Sequence, residues 1–281
     1  MSFTVKTPTP ILEALQAFAP TSSKNTLKKW LKSKRVFVNG HIVEDAKALL
    51  SQGSTLSLGP RKEYFRASIE ILYEDSNLIV IYKPPGLLSV ATDKKEFYTA
   101  HGLLKSRVPG KKVFPVHRLD KDTSGILVFA YTETARESLK KQFEEHSIYR
   151  EYRAVLLGRL EEKKGTWTSY LKETASFHVY ECAPCPEAME AITHYEVLHE
   201  TPKTSFVKFI LKTGKKNQIR VQAAHRGFPV LGDKKYGTSS FERLALHAYA
   251  LHFIHPISTK KLCFTYPYPK EFATFLPKTF P

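Results

Sequence analysis

Apolar positions recur at helical spacing near the start of the chain, where Ile11, Leu12, Leu15 and Phe18 mark a helix over residues 11–19. A second helical stretch follows in NTLKKWLKSKR, residues 25–35, with Leu27, Trp30 and Leu31 on one face and Lys28, Lys29 and Lys32 over much of the rest. Next comes VFVNGHIV, two short β-type runs joined by Asn39-Gly40, both of which tolerate positive φ and so favour a tight hairpin turn. Helix, helix and hairpin make a small N-terminal module, expected over residues 1–61.

Beyond the charged stretch GPRKEYFRAS the period changes. Seven runs rich in β-branched and aromatic residues (IEILYED, LIVIYKPPG, GILVFAY, EYRAVLLG, ITHYEVLH, SFVKFILK and LALHAYALHFIH) predict a large sheet. Between them, TETARESLKKQFEEH reads as a helix with Thr132 as N-cap and Ala135, Leu139 and Phe143 along one face. NQIRVQAAHRG reads as another, ended by Gly227. The expected fold class is α+β, with a mixed, mainly antiparallel sheet in a domain over residues 62–281.

Composition narrows the picture. In 281 residues, 42% of them hydrophobic, there is ample material for a core, which excludes disorder as the dominant state. Lys and Arg number 43 against 27 acids, a formal charge of +16 that suits a polyanionic partner. Residues 1–65 alone carry ten basic residues against four acids, clustered near the second helix. The three cysteines, Cys182, Cys185 and Cys263, are too few and too uneven for a disulfide framework, and no apolar run suits a signal or a membrane span. A reducing, cytoplasmic setting is expected.

Against this background one string stands out. HRLDKDTSGILVFA, residues 117–130, places Asp120 in a polar turn between a strand-like VFPV and the apolar run GILVFA. It closely resembles the signature segment of the RluA-type family of pseudouridine synthases. KPPGLLSV (83–90), REYRAVLLG (150–158) and LKTGKKNQIRVQAAHRGFPVLGDKKYG (211–237) resemble that family's other segments in the same order. The element order of residues 9–59, through LKSKRVFVNGHIV and LLSQGSTLSLG, is similar to an S4 RNA-binding domain, with lysines at 24, 28 and 29 where arginines are usual.

The resemblance implies an RNA isomerase. Pseudouridine formation breaks the bond from uracil N1 to C1′, turns the base and rejoins it through C5. Asp120 matches the nucleophilic aspartate, Tyr152 the active-site tyrosine and Arg220 the arginine that pairs with the aspartate. An aspartate in a turn is otherwise most often a local cap, and a tyrosine on a strand an ordinary core residue. In these roles the residue types make chemical sense. A carboxylate can attack C1′ or C6, or assist loss of the base by taking a sugar proton; a permanently charged, planar guanidinium can align it. A tyrosine offers a stacking face and a proton-carrying hydroxyl.

A stacked uridine must leave its stack to reach Asp120, and Arg118 is the residue expected to fill the gap. Lys28, Lys29, Lys32, Arg35, Lys83, Lys215 and Asn217 are further expected RNA contacts. Lys215 and Asn217 stand where the family usually has arginine and histidine. Large-subunit ribosomal RNA is the substrate implied by the S4-like module. Transfer RNA is the alternative, and a non-catalytic assembly factor a third reading, though one that predicts loss of Asp120. No cofactor is expected. Cys182-Ala183-Pro184-Cys185 is half a zinc site without its other half, so no metal is expected either, and nothing asks for more than a monomer.

Overall fold

The structure is a computed structural model and describes residues 2–32, 35–58, 69–91, 99–237 and 241–276. These fall into two compact units, within 1–68 and 69–281. The domain boundary expected at 61/62 lies outside the described residues, as do Lys34, Arg61 and Lys62.

The first unit contains β1 (Ser2–Thr4), β2 (Thr9–Pro10), α1 (Ile11–Phe18), α2 (Lys24–Lys32), β3 (Val36–Val38), β4 (His41–Ile42), β5 (Leu49–Leu50) and β6 (Thr55–Leu58). Apolar spacing explains the helix packing: Ile11, Ala14 and Leu15 of α1 and Leu27 and Leu31 of α2 are buried in one cluster with Val36 and Leu56. Lys24, Lys28, Lys29 and Lys32 are left exposed. Asn39 and Gly40, with φ of 50° and 82°, close the β3–β4 hairpin, as positive φ at both central turn residues requires. Arg35 lies with its guanidinium 5.7 Å from the centre of the Trp30 ring.

The second unit is built on β7 (Glu70–Glu74), β8 (Leu78–Lys83), α3 (Ala100–Arg107), β9 (Phe114–Pro115), β10 (Ser124–Ala130), α4 (Glu133–Glu144), β11 (Tyr149–Leu157), β12 (Lys164–Glu173), β13 (Val179–Cys182), β14 (Met189–Glu200), β15 (Thr204–Leu211), α5 (Gln218–His225), β16 (Leu246–Ile254) and β17 (Lys261–Thr265). Among the described residues the strands form one sheet in the order β13-β12-β14-β15-β11-β16-β10-β8-β7, with β17 on β16 and β9 on β10. The pairing is antiparallel except between β10 and β16, so the fold is α+β with a mixed sheet. Strand β10 is buried along its whole length, as a strand covered on both faces must be.

Gly125 permits the close approach of β10 and β16. A Cβ there would lie 2.2 Å from the Ala248 carbonyl oxygen, and its φ is +126°. The strand therefore begins immediately after the Asp120 turn and is fixed against β16 at that point. Helix α4 starts where Thr132 Oγ1 accepts a hydrogen bond from the Ala135 amide and packs Ala135 and Leu139 with Val80 and Val128.

Next to Gly125, the fully buried His247 accepts a hydrogen bond at Nδ1 from the Ser124 hydroxyl (2.8 Å), which in turn accepts from Arg243 Nη2 (2.6 Å). Burial depresses the imidazole pKa to about 3. An unfolded histidine titrates near 6.5, so between these values the unfolded chain binds a proton that the folded chain lacks, and stability falls as pH drops below 6.5. Moving from pH 7 to pH 5 should cost about 2 kcal/mol through this ring. Melting curves at the two pH values, with His247→Asn as the variant lacking that titration, check the sign.

Candidate active site

Asp120 sits in the turn between β9 and β10, and a second segment holds that turn in place. Ser89 Oγ donates to the Leu119 carbonyl (2.8 Å) and accepts from the Leu119 amide (3.0 Å). The Gly86 amide donates to the Lys121 carbonyl at 2.9 Å. Lys83, at the end of β8, is fully buried and donates from Nζ to the carbonyls of Pro84, Leu87 and Lys121 at 2.9, 2.7 and 3.0 Å. This corrects the expectation that Lys83 touches RNA. Its side chain cannot reach a ligand without abandoning three hydrogen bonds; burial depresses its pKa to about 7, against the pull of Asp122 and Asp120. KPPGLLSV therefore acts as a brace for the Asp120 turn.

Helix α5 brings the opposite charge. Arg220 Nη1 donates to Asp120 Oδ2 at 3.3 Å, while its Nε and Nη2 donate to the two carboxylate oxygens of Asp233 at 2.7 and 2.8 Å. Burial opposes the Arg220 charge, but the bonds and charge of Asp233, followed by Asp120, outweigh it and hold the guanidinium above its ordinary pKa. The same pair keeps Asp233 below the usual carboxylate range, although burial pushes it the other way. Asp233 also accepts from the amides of Lys235 (2.9 Å) and Tyr236 (3.0 Å), and Tyr236 lies beneath the guanidinium at 5.2 Å.

Asn217 closes this network. It is buried, its Oδ1 accepts from Arg220 Nη1 (3.1 Å), and its Nδ2 donates to the Tyr236 hydroxyl (3.0 Å). The expected RNA contact is therefore a support for the arginine, with both ends of its amide occupied inside the protein. The φ of 55° at this position suits asparagine better than most residues.

The third residue comes from the middle of the sheet. Tyr152 on β11 pairs with Phe209 of β15 and Ala248 of β16, and the β11–β16 register shifts between Glu151 and Tyr152. Such irregularities re-aim side chains beside functional clefts. Tyr152 and Asp120 line the same cavity of about 360 Å³, together with Arg118, His117, Arg150, Leu246, Ile219, Lys215 and Arg220. Burial, opposed by Arg150 and reinforced by Asp120, pushes the Tyr152 phenol up to about 12. It stays protonated across the physiological range.

The cavity has a polar edge at Asp120 and Arg220 and an apolar wall of Leu246, Ile219 and Leu211. His117 accepts the Val128 amide hydrogen bond at Nε2 (3.1 Å) and stacks on Phe143 at 4.6 Å. Burial and the charge of Arg150 depress its pKa to about 3, keeping it neutral. Arg118 is exposed at the mouth. A flat, partly polar base fits such a space, whose lining includes both the Asp120 carboxylate and the Tyr152 side chain.

A family profile described as RNA pseudouridylate synthase matches residues 77–225, a span holding Asp120, Tyr152 and Arg220. The chain belongs to the RNA pseudouridine synthase family. Among the family's curated members it is 30% identical over 289 residues to Ribosomal large subunit pseudouridine synthase D of Pasteurella multocida, covering 93% of this chain and 88% of that one. It is 34% identical over 217 residues to tRNA pseudouridine synthase C of Haemophilus ducreyi, covering 69% and 88%. The solved structure of human RNA Pseudouridylate Synthase Domain Containing 4 shares the fold, with a TM-score of 0.62 at 22% identity over 74% of this chain and 92% of that one. Pseudouridine synthases are RNA isomerases, so the enzyme class follows from membership.

Asp233, Tyr236 and Arg150 are parts of the site that the sequence reading did not single out. Asp233 and Tyr236 lie in GDKKYG, within the last family-like segment, where a carboxylate and an aromatic thirteen and sixteen residues after Arg220 gave no local periodicity to betray the contact. Arg150 lies over the Phe143 ring at 5.8 Å, with its Nη1 in the space beside Gly214, where a Cβ would come within 2.4 Å and displace the guanidinium.

Proposed function

We propose that this chain isomerises specific uridines in large-subunit ribosomal RNA, with Asp120 as the nucleophilic carboxylate, Arg220 aligning it, and Tyr152 stacking on the flipped uracil and carrying a proton near C5. The observation that carries this reading is the Asp120–Arg220 pair at the edge of a base-sized cavity that Tyr152 also lines. Attack at C1′, attack at C6 and removal of a sugar proton are all open to a carboxylate so placed. The choice of ribosomal RNA rests on coverage: the large-subunit relative aligns through the N-terminal unit, and the transfer-RNA relative over a shorter part of the chain.

The N-terminal unit is read as an S4-like RNA-binding module, supported by its helix-helix-hairpin order and by the exposed lysines at 24, 28, 29 and 32 of α2. Lysine retains the attraction for phosphate without the bidentate fork of arginine. Arg35 and Lys215 complete the proposed contacts. A monomer in the cytoplasm is part of the same reading, and the free state of Cys182, Cys185 and Cys263 fits a reducing compartment.

Arg118 is proposed to occupy the gap left by the flipped uridine. Arg118→Ala should weaken RNA binding and raise KM about tenfold, the loss of one stacking contact, while the melting temperature stays within about 1 °C because the side chain is exposed. Arg118→Lys should recover little of this, since the planar stacking surface is absent. Filter binding and steady-state kinetics check both variants.

The substrate assignment is tested by treating unmodified transcripts of large-subunit ribosomal RNA and of transfer RNA with the enzyme, then mapping pseudouridine by carbodiimide-dependent primer-extension stops. Discrete stops in the ribosomal transcript, absent with Asp120→Ala, are expected. Stops confined to transfer RNA would replace the ribosomal assignment.

A further inference from the structure

The β12–β13 hairpin ends in an aromatic residue that the catalytic reading does not use. Phe177 is 70% exposed and has a left-handed backbone with φ of 63°, a conformation disfavoured for a bulky side chain. Both features cost stability, and backbone outliers of this kind gather at binding and catalytic sites. The tip is well formed: the Phe177 amide donates to the Thr174 carbonyl (2.9 Å), the Thr174 amide to the His178 carbonyl (2.8 Å), and the His178 amide to Thr174 Oγ1 (3.1 Å).

Contacts to the active-site segments fix the position of this ring. Lys235 Nζ donates to the Phe177 carbonyl at 2.9 Å, and the Lys216 ammonium lies 5.1 Å from the centre of the Phe177 ring while pairing with Glu173. The neighbouring His178 ring packs on Tyr236 at 5.1 Å. Lys216 immediately precedes Asn217, and Lys235 lies between Asp233 and Tyr236. The ring is thus tied to the two segments that position Arg220, with exposed Lys212 and Lys234 nearby in sequence.

We propose that Phe177 is a stacking platform for the base of an unpaired nucleotide flanking the target uridine, with Lys216 and Lys235 facing its phosphates. This rests on the RNA reading given above. Single-stranded RNA recognised beside a flipped nucleotide presents splayed bases, for which an exposed aromatic ring beside cations is the matching chemistry. A protein partner would find one isolated ring among lysines, too small an apolar area for a stable interface.

The test uses the full chain with transcripts of large-subunit ribosomal RNA carrying C5-tritiated uridine. Phe177→Ala should raise both the filter-binding Kd and the KM for tritium release about tenfold, with the loss concentrated in KM. Phe177→Trp or Phe177→Tyr should restore them. The slope of log Kd against log salt should match the native enzyme in all three variants, because no cation is removed. A changed slope in Phe177→Ala would instead show that the hairpin had moved and carried Lys216 and Lys235 with it, overturning the stacking role. Native-like binding by Phe177→Ala, or failure of both aromatic variants to restore it, would also overturn it. If the native chain released no tritium yet Phe177→Ala still weakened binding tenfold, the stacking platform would stand and the isomerase reading would fall.

Discussion

Asp120→Ala is expected to lower the rate of uridine isomerisation at least about 10⁴-fold, the scale on which removing a nucleophile is felt. The geometry predicts that this loss comes without unfolding. The Asp120 side chain is 28% exposed and receives a 3.3 Å bond from Arg220, whereas the turn that carries it is held through backbone groups by Lys83, Gly86 and Ser89. Removing the carboxylate leaves those backbone bonds intact and leaves Arg220 paired with Asp233. Melting temperature should therefore change by no more than a few degrees, and RNA affinity should persist. A variant that retained a tenth of the native rate with an unchanged fold would remove Asp120 from the chemistry.

The second large effect is expected at Asp233, and it falls on stability as well as rate. Its side chain is fully buried and accepts hydrogen bonds from Arg220 Nε and Nη2 and from the amides of Lys235 and Tyr236. Asp233→Ala leaves a buried guanidinium with one carboxylate, Asp120 at 3.3 Å, in place of two, and breaking a buried ion pair from one side costs about 3–5 kcal/mol. For a unit of this size the melting temperature should drop by about 10 °C. Because Arg220 then has only Asn217 and Asp120 to orient it, kcat should fall as well. Asp233→Asn, which keeps an acceptor for part of the network, should fall between the two. Calorimetry and single-turnover rates on both variants provide the check; a shift of less than 2 °C would mean that the pair is not the anchor described.

Much of this architecture could be read from residue order. Apolar spacing located α1, α2 and α4, and seven apolar runs became β7, β8, β10, β11, β14, β15 and β16. The Thr132 cap, the Gly227 stop and the Asn39-Gly40 turn were legible because each depends on a local conformational preference. Strand β12 was not legible. In KGTWTSYLKE burial alternates, but the buried positions are Trp167, Ser169 and Leu171, one of them polar, so the strand carries too little apolar character to stand out beside β8 or β10. Strands β13 and β17 are short, four and five residues, and each only completes a hairpin with the strand before it, so neither forms an apolar run of its own.

At the site, the residues proposed to perform chemistry were legible and those that hold them in place were less so. Asp120, Tyr152 and Arg220 belong to a distinctive string or to segments ordered around it. Lys83 was read by charge alone as an RNA contact, yet three carbonyl groups turned inward by the Pro84–Leu87 turn and by Lys121 capture its ammonium. Asn217 was read as an RNA contact from its place in the last family-like segment, where histidine is usual, and it faces Arg220. In both cases the deciding information is which backbone or side-chain group another segment brings within 3 Å, and no single stretch of sequence contains it.

The central claim is that this protein rearranges uridine within RNA, and release of tritium from C5-labelled uridine reports that event directly, because the C5 hydrogen is lost when C5 joins the sugar. The native chain should release tritium from large-subunit ribosomal transcripts in step with the appearance of pseudouridine, and Asp120→Ala should release none above background. Binding of the same transcripts by the native chain with no tritium release from either ribosomal or transfer RNA would contradict the account.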